Sequence, residues 1–462
     1  MRESQRRWGA RSVSERVSVL CAARHLLAER SLALADAVSA ALTRTKADTL
    51  VAEVLPLLDA CKFLEREAEK LLRPRSLWIA GRPVWLYGVM AEIHREPLGH
   101  VLVIGPANFP IFLPGVQVLQ ALAAGNAVTW KPGNGGRAVA LFMADALREA
   151  GLPRGLLAVT EESVAAAEQA MQEGIDKVVF TGSATNGREV LRTLSATATP
   201  AVMELSGADA VIVMPSANLQ RVVQAVAFGL RLNGGAVCMS PRRLFATATT
   251  MNVLRPLLQA ELALIAPATL SDNVGGRLCN LLKKATEAKG TVLGEVTPAA
   301  QRPVLVDRAT AEMEIACSDI FAPVISLIEV ESMMHVPEAH AKCSYGLTAA
   351  IFGDETEARA LAAALRVGTV VVNDLIVPTA DPRLPFGGRG ASGFGVTRGA
   401  EGLLEMTAVK TIVMRRGNSG KHLEPTTDAD ASLFEAIIRG LHGRGWRQRW
   451  NALKTVSKGR SR

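Results

Sequence analysis

Six cysteines are spread over 462 residues, and no two of them stand in a C-x-x-C spacing. That arrangement gives no support to a structural zinc site or a thioredoxin-type motif, and no metal is expected. The number is low for a disulfide framework at this length, so a reducing cytoplasm is the expected compartment. The N-terminus, Met1-Arg2-Glu3-Ser4-Gln5-Arg6-Arg7, lacks the apolar stretch that a secretory or twin-arginine signal requires. Pro97 to Trp130 contains no Asp, Glu, Lys or Arg. It is long enough for a membrane span, but Pro106, Pro110, Pro114, Asn108, Gln117, Gln120 and Asn126 would strand polar groups in hydrocarbon. A buried strand-loop-helix is expected instead. No internal repeat is found. From Ala436 to Arg462 acidic residues are missing, whereas Arg439, Arg444, Arg447, Arg449, Lys454, Lys458, Arg460 and Arg462 are present. These eight cations account for the whole net charge of +8, so the body carries no nucleic-acid footprint.

What is present reads first as helices over 12–72. Val17, Leu20, Cys21, Arg24 and Leu27 begin one stripe, and Leu50, Val54, Leu57, Leu58 and Cys61 form another. Cys21 and Cys61 therefore read as packing residues. Residues 79–95 alternate in the manner of a strand and carry the aromatics Trp78, Trp85 and Tyr87 at and beside them. Strands are expected at His100–Ile104, Ala127–Trp130 and Lys177–Phe180. Helices are expected at Gly115–Ala124, Gly136–Ala150 and Asn186–Ser195. Further strands are expected near Pro303–Val306, Val324–Leu327 and Thr369–Val372. The alternation predicts an α/β fold with a parallel, doubly wound sheet. Arg415–Thr427 reads as a linker, and Leu433, Phe434, Ile437, Ile438 and Leu441 form a helical stripe that Trp446, Trp450 and Leu453 continue weakly.

The candidate chemistry centres on Glu204 in Met203-Glu204-Leu205-Ser206-Gly207 and Cys238 in Asn233-Gly234-Gly235-Ala236-Val237-Cys238, 34 residues apart. A nucleophilic thiol needs a neighbouring base, either for itself or for the water that follows it. Gly182 and Ser183 lie in Phe180-Thr181-Gly182-Ser183, a strand-to-helix turn whose backbone N–H groups and helix dipole suit a phosphate. Asn108, in Gly105-Pro106-Ala107-Asn108-Phe109-Pro110, stands at a strand's C-terminal end and could donate to an oxyanion or cap the next helix. Lys131 follows an apolar strand and could meet a cofactor hydroxyl or phosphate, or be a solvated loop lysine. Leu384–Gly393 is a glycine-rich tight loop. Cys317 could line a pocket or pack, and Cys279 and Cys343 carry no partner signal.

In this order and at these separations the pieces resemble the aldehyde dehydrogenase superfamily, from about Val13 to Arg416. The resemblance is strongest in GPANFP, Lys131-Pro132, FTGS, MELSG, NGGAVC, Asp319-Ile-Phe-Ala-Pro323 and PFGG. It implies a Rossmann-like cofactor domain (residues 1–78 and 98–207) and an α/β catalytic domain (208–404). Bridging strands (79–97 and 405–416) would pair subunits into a homodimer or tetramer, and 417–462 is left as linker and basic tail. By resemblance, Cys238 attacks an aldehyde, Asn108 and the Cys238 N–H hold the oxyanion, and Glu204 activates water against the resulting thioester. The cofactor is NAD or NADP. Lys131 and Ser183 would contact the adenosine ribose and diphosphate, with Gly182 and Asn134 in the same turns, while Asp319 and Phe386 would border the nicotinamide and its ribose.

Several positions depart from the family pattern. Asp319 stands for a usual Glu, Asn134 for a frequent Glu, Ala107 for Trp, Ala236 for Gln and Ser206 for Gly. The neutral Asn134, with Arg137 three residues on, removes a repulsion toward a 2′-phosphate and leaves NADP open. The segment from Cys238 to Asp319 is short. Two other functions fit the same residues: a CoA-acylating dehydrogenase or acyl reductase, and a divergent member that binds a partner or, through residues 433–462, an anionic membrane surface.

Overall fold

The computed structural model describes residues 1–38, 42, 44–297, 300–417 and 421–451. Two compact units result, one of residues 1–75 and 93–410, the other of 76–92 and 411 onward.

The first unit contains two large sheets and a two-stranded one of Tyr345–Gly346 with Arg389–Gly390. The six-stranded sheet runs in the order Gly393–Phe394, Ala201–Leu205, Lys177–Gly182, His100–Ile104, Ala127–Lys131, Leu157–Val159. All its pairings are parallel except that of Gly393–Phe394 with Ala201–Leu205. Val101 and Val103 point to one face and join Leu20, Leu57, Leu64 and Leu119 in a core built with the N-terminal helices Val13–Glu29 and Leu55–Leu72. Leu102 and Ile104 point to the other face, against Met171, Val190 and Leu194. Two buried faces explain why these strands read as unbroken apolar runs. The strand His100–Ile104 pairs with Ala127–Lys131 on one side and Lys177–Gly182 on the other, so the chain winds outward in both directions from it. A crevice opens at such a reversal, beyond the strands' carboxyl ends.

The seven-stranded sheet follows the order Thr291–Leu293, Val304–Ala309, Val324–Val330, Pro241–Thr247, Asp209–Val213, Thr348–Phe352, Thr369–Val372, with only the first pairing antiparallel. Ala210 and Ile212 face one core, Val211 and Val213 the other. The helices expected in the first half are present as Phe112–Ala123, Arg137–Glu149 and Ala184–Ser195. Ser183 starts the last of these by accepting the Asn186 N–H.

The expectation for 79–95 needs correction. Val84–Leu86 is a short 3-10 turn after Pro83, and the strand begins only at Val89. Trp78, Trp85 and Tyr87 are exposed at 83%, 66% and 82%, so their alternation marks no buried face. Val89–Pro97 is the middle strand of a three-stranded sheet with Arg75–Leu77 and Thr407–Arg415. Asp428–His442 is helical, started by a capping box between Thr427 and Asp430. Of the expected continuation, Trp446 and Trp450 are exposed, while Leu453 and the cations Lys454, Lys458, Arg460 and Arg462 lie outside the described residues. Among the described residues, no helix is long and apolar enough to cross a membrane, and no group of His, Cys, Asp and Glu could hold a metal ion.

Candidate active site

Glu204 is the penultimate residue of the strand Ala201–Leu205 and is buried, with Thr181 beside it in register on one side and Gly393 on the other. Only glycine fits that second neighbour. Gly393 has a φ of +101°, and a Cβ there would stand 1.9 Å from the Met203 carbonyl oxygen. Thr397 donates its hydroxyl to Glu204 Oε2 at 3.0 Å, while Oε1 has no hydrogen-bond partner. Burial pushes the Glu204 carboxyl up from its ordinary range, opposed by the charge of Arg398 and the Thr397 bond.

Cys238 is half-buried, three residues past a turn in which Asn233 and Gly234 take φ values of 49° and 62°. That positive-φ pair lets the chain double back tightly. Burial raises the thiol, and the negative charges of Glu204 and Asp209 add to the rise; Arg398 works against them. Asn108 reaches the same loop, but its Nδ2 donates to the Ala236 carbonyl at 2.9 Å. The Asn108 carbonyl in turn accepts from Asn233 and Arg44, each at 3.3 Å. Arg44 is buried against Glu53, whose Oε2 accepts the N–H groups of Ile111 at 2.6 Å and Phe112 at 3.0 Å. A carboxylate on those N–H groups fixes the start of the helix Phe112–Ala123 and with it the Asn108 loop.

Two cavities meet at Glu204 and Cys238. The larger, about 540 Å³, gathers Asn108, Lys131, Asn134, Gly182, Ser183 and Asp319, all but one of the residues expected around the cofactor and oxyanion. The exception is Phe386, which lines the smaller cavity of about 220 Å³. Among the described residues, only Leu113, Glu204 and Cys238 border both. The smaller cavity is walled mainly by apolar side chains, among them Val51, Pro56, Phe109, Phe112, Phe228 and Met239, with Asp48 and Arg398 as its other charged residues.

In the larger cavity Lys131 is buried, and its ammonium is lowered from the ordinary range by desolvation against the pull of Glu162. Asn134 is exposed. Glu162 accepts the N–H groups of Gly135 at 2.9 Å and Arg137 at 2.8 Å, so a carboxylate already sits at the start of the helix Arg137–Glu149. Asp319 accepts from Ser206 Oγ at 2.6 Å and from Arg277 at 2.8 Å.

Glu162, Arg277, Thr397, Arg398 and Glu53 carried no signal in the sequence. Each lies outside any recurring pattern, and Glu53, Glu162 and Arg277 are also well separated from the motifs. Arg398 alone could have drawn notice, as an arginine a few residues beyond a glycine-rich loop.

Comparison with known proteins follows the same geometry. The profile of the aldehyde dehydrogenase family matches residues 1–412. A Mycolicibacterium smegmatis protein, named a candidate succinate-semialdehyde dehydrogenase [NADP(+)], is 30% identical over 95% of this chain and 87% of its own. The 4,4'-diapolycopene aldehyde oxidase of a Methylomonas species is 28% identical over 97% of this chain and 91% of its own. The NADP-dependent glyceraldehyde-3-phosphate dehydrogenase of Bacillus halodurans, solved with NADP, superposes with a TM-score of 0.82 at 27% identity, covering 90% of this chain and 89% of the other. An α/β architecture of this kind and a family match over almost the whole body have one reading: the chain belongs to the aldehyde dehydrogenase family, whose members oxidise aldehydes with NAD or NADP.

Proposed function

We propose that the protein oxidises an apolar aldehyde to its carboxylate, with Cys238 as nucleophile and Glu204 as the base that activates water. The observation that carries this reading is the position of both residues at the junction of two cavities. One cavity has the donors for a dinucleotide, and the other has the walls for a hydrocarbon chain.

The residues present fit a dinucleotide. The helix Ala184–Ser195 points its N-terminus toward the larger cavity, where Gly182 and Ser183 lie. Backbone N–H groups and the helix dipole there suit a diphosphate. Lys131 offers a buried ammonium for a ribose hydroxyl or a phosphate, and Asp319 a carboxylate for the second ribose. When bound, the nicotinamide accepts hydride from the carbon attached to the thiol.

The chain's own residues supply the rest. Cys238 attacks the carbonyl carbon as thiolate and forms a thiohemiacetal. Its own N–H, and the Asn108 amide once released from Ala236, hold the oxyanion. Loss of hydride leaves a thioester. Glu204, held by Thr397 with one oxygen open, then takes a proton from water as that water attacks the thioester. A base with a pKa raised toward neutrality is suited to this step, and the burial of Glu204 works in that direction. Phe386 borders the aldehyde cavity in this reading.

Residues 79–97 and 405–416 are assigned to pairing subunits in a homodimer or tetramer, and 1–78 with 98–207 to the cofactor domain. Residues 208–404 make up the catalytic domain, and the compartment is the cytoplasm. A peripheral role for the C-terminal segment is supported by exposed Phe434, Ile438, Trp446 and Trp450 beside Arg439 and Arg444. Sedimentation of the full chain with anionic vesicles, against a chain ending at Arg416, tests that role; equal binding removes it.

The function is tested by assaying a panel of aliphatic, aromatic and carboxylate-bearing aldehydes with NAD and with NADP, with and without CoA. Free acid formed from apolar aldehydes, and abolished in Cys238→Ala, is the expected result. Oxidation that survives Cys238→Ala, or acyl-CoA formed with no free acid, rejects the proposal.

A further inference from the structure

Arg398 is the most unusual charge in the body of the protein. It is 4% exposed and lines the smaller cavity with Glu204 and Cys238. Its guanidinium lies 4.1 Å from the ring centre of Phe386 and 5.3 Å from that of Phe112. Nη1 donates to the Thr379 carbonyl at 2.7 Å, and Nε has no partner. No ion pair joins Arg398 to a carboxylate among the described residues, although it acts electrostatically on Glu204 and Cys238. Its backbone takes φ 61° and ψ 172°. A non-glycine residue is strained there, and such strain persists only where the surroundings over-determine it. The residue before it is Thr397, whose hydroxyl holds Glu204.

A buried cation with no anion of its own is costly. Two groups face Arg398 that can each supply one negative charge, the Glu204 carboxyl and the Cys238 thiol. With both neutral, Arg398 is uncompensated. With both ionised, two anions repel in an apolar pocket. One anion balances the site. The other charged groups nearby do not alter this count. Asp209, which also acts on Cys238, is bound by the Thr348 hydroxyl and N–H and faced by Arg242 and Arg243. Arg242, which faces Cys238 as well, donates to the carbonyls of Ala322 and Gly235 and is offset by Asp209 and Asp319. Asp48 lines the same cavity and is held at Thr45.

We propose that Arg398 is the counter-ion of a single negative charge shared by Cys238 and Glu204, a positioning residue that makes formation of the thioester itself the signal for Glu204 to ionise. The proposal rests on Cys238 as nucleophile and Glu204 as base. For attack the Cys238 proton passes to Glu204, so that thiol and carboxylate become thiolate and carboxylic acid, with Arg398 balancing either arrangement. Attack on the aldehyde carries the charge to the carbonyl oxygen, and loss of hydride to the cofactor leaves a neutral thioester. Arg398 is then without an anion. The Glu204 carboxylic acid releases its proton to solvent and becomes the carboxylate that water activation needs.

The test titrates Cys238 by its rate of alkylation with iodoacetamide, without cofactor, in the full chain and in Arg398→Met and Arg398→Lys. Each protein's alkylation site is checked by mass spectrometry and its fold by thermal melting. Loss of the counter-ion should move the titration of Cys238 at least one pH unit upward, which cuts the rate at neutral pH about tenfold. Arg398→Lys should recover most of it. A titration unchanged in a folded Arg398→Met overturns the proposal. Should that variant fail to fold, Glu204→Gln decides. With Glu204 unable to hold the charge, Cys238 becomes the one anion left to Arg398, and its titration should move downward by about a unit or more. A titration at or above that of the wild type overturns the proposal. Retained aldehyde oxidation in Cys238→Ala would instead reject the nucleophile, whatever the titrations show.

Discussion

Ser206 donates its hydroxyl to Asp319 at 2.6 Å across the larger cavity. Both positions depart from the family pattern, and the structure makes them one departure. A carboxylate one methylene shorter is met by a hydroxyl where the family has glycine, and Arg277 takes the other oxygen at 2.8 Å. Asp319 is therefore oriented before any ligand arrives. Ser206→Gly should loosen it, raising the KM for the cofactor about three- to tenfold and leaving kcat within about twofold, because an orienting hydrogen bond contributes roughly 1 kcal/mol. Steady-state kinetics with cofactor varied at saturating aldehyde checks this. An unchanged KM would mean that Asp319 does not meet the cofactor through this pairing.

Cofactor preference should turn on Glu162 rather than Asn134. The Glu162 carboxylate occupies the N–H groups of Gly135 and Arg137 and acts on Lys131. A helix start is where a 2′-phosphate would gain most, and an anion already there repels it. Glu162→Gln should raise the kcat/KM for NADP relative to NAD by about tenfold, equivalent to roughly 1.4 kcal/mol. The ratio of the two specificity constants before and after substitution is the measurement; a ratio that stays constant defeats the idea.

Gly393 pairs directly with Glu204 in the strand register. With a Cβ forced to 1.9 Å from the Met203 carbonyl, Gly393→Ala must displace one strand or the other. A destabilisation of about 2 kcal/mol or more is expected for strain of this kind. Turnover should fall further than stability alone explains, as Glu204 moves with its strand. Denaturant melts and kcat on the same preparation separate the two effects. A melt within error of the wild type contradicts the contact.

Stability should decline on mild acidification through His340. This side chain is buried with Nε2 unpartnered, and burial beside Arg243 lowers its pKa to about 3. In the unfolded chain a histidine titrates near its ordinary 6.5, so between about pH 6.5 and 3 the unfolded state holds a proton that the folded state refuses. Unfolding is favoured as pH falls through that window, by up to about 1.4 kcal/mol per pH unit below 6.5. His340→Gln should flatten this limb of the stability curve. Tm measured from pH 7.5 to 4.5 in both proteins tests it, and parallel curves would refute it.

The strands and helices that frame the crevice were legible because each is a local pattern. His100–Ile104 is an apolar run closed by Gly105, and the helix at Ala184 is announced by Ser183. Residues 79–88 misled for a related reason: alternation identifies a strand only where one face is buried, and Trp85 and Tyr87 face outward. The site was legible where backbone geometry demands a motif, as at Gly234 and Ser183. It was illegible where a side chain arrives from far away. Arg398 reaches Glu204 and Cys238 from well over a hundred residues along the chain, and Glu53 steadies the Asn108 loop from a helix that reads as plain packing.

The sharing of only Leu113, Glu204 and Cys238 between the two cavities bears on traffic. In the proposed assignment cofactor and aldehyde reach the thiol from separate cavities, and neither occupies the other's path. A reduced cofactor could then be exchanged for an oxidised one while the acyl chain is still attached. Departure of the cofactor would not have to wait for departure of the acid, and each product would compete only with the ligand that uses the same door.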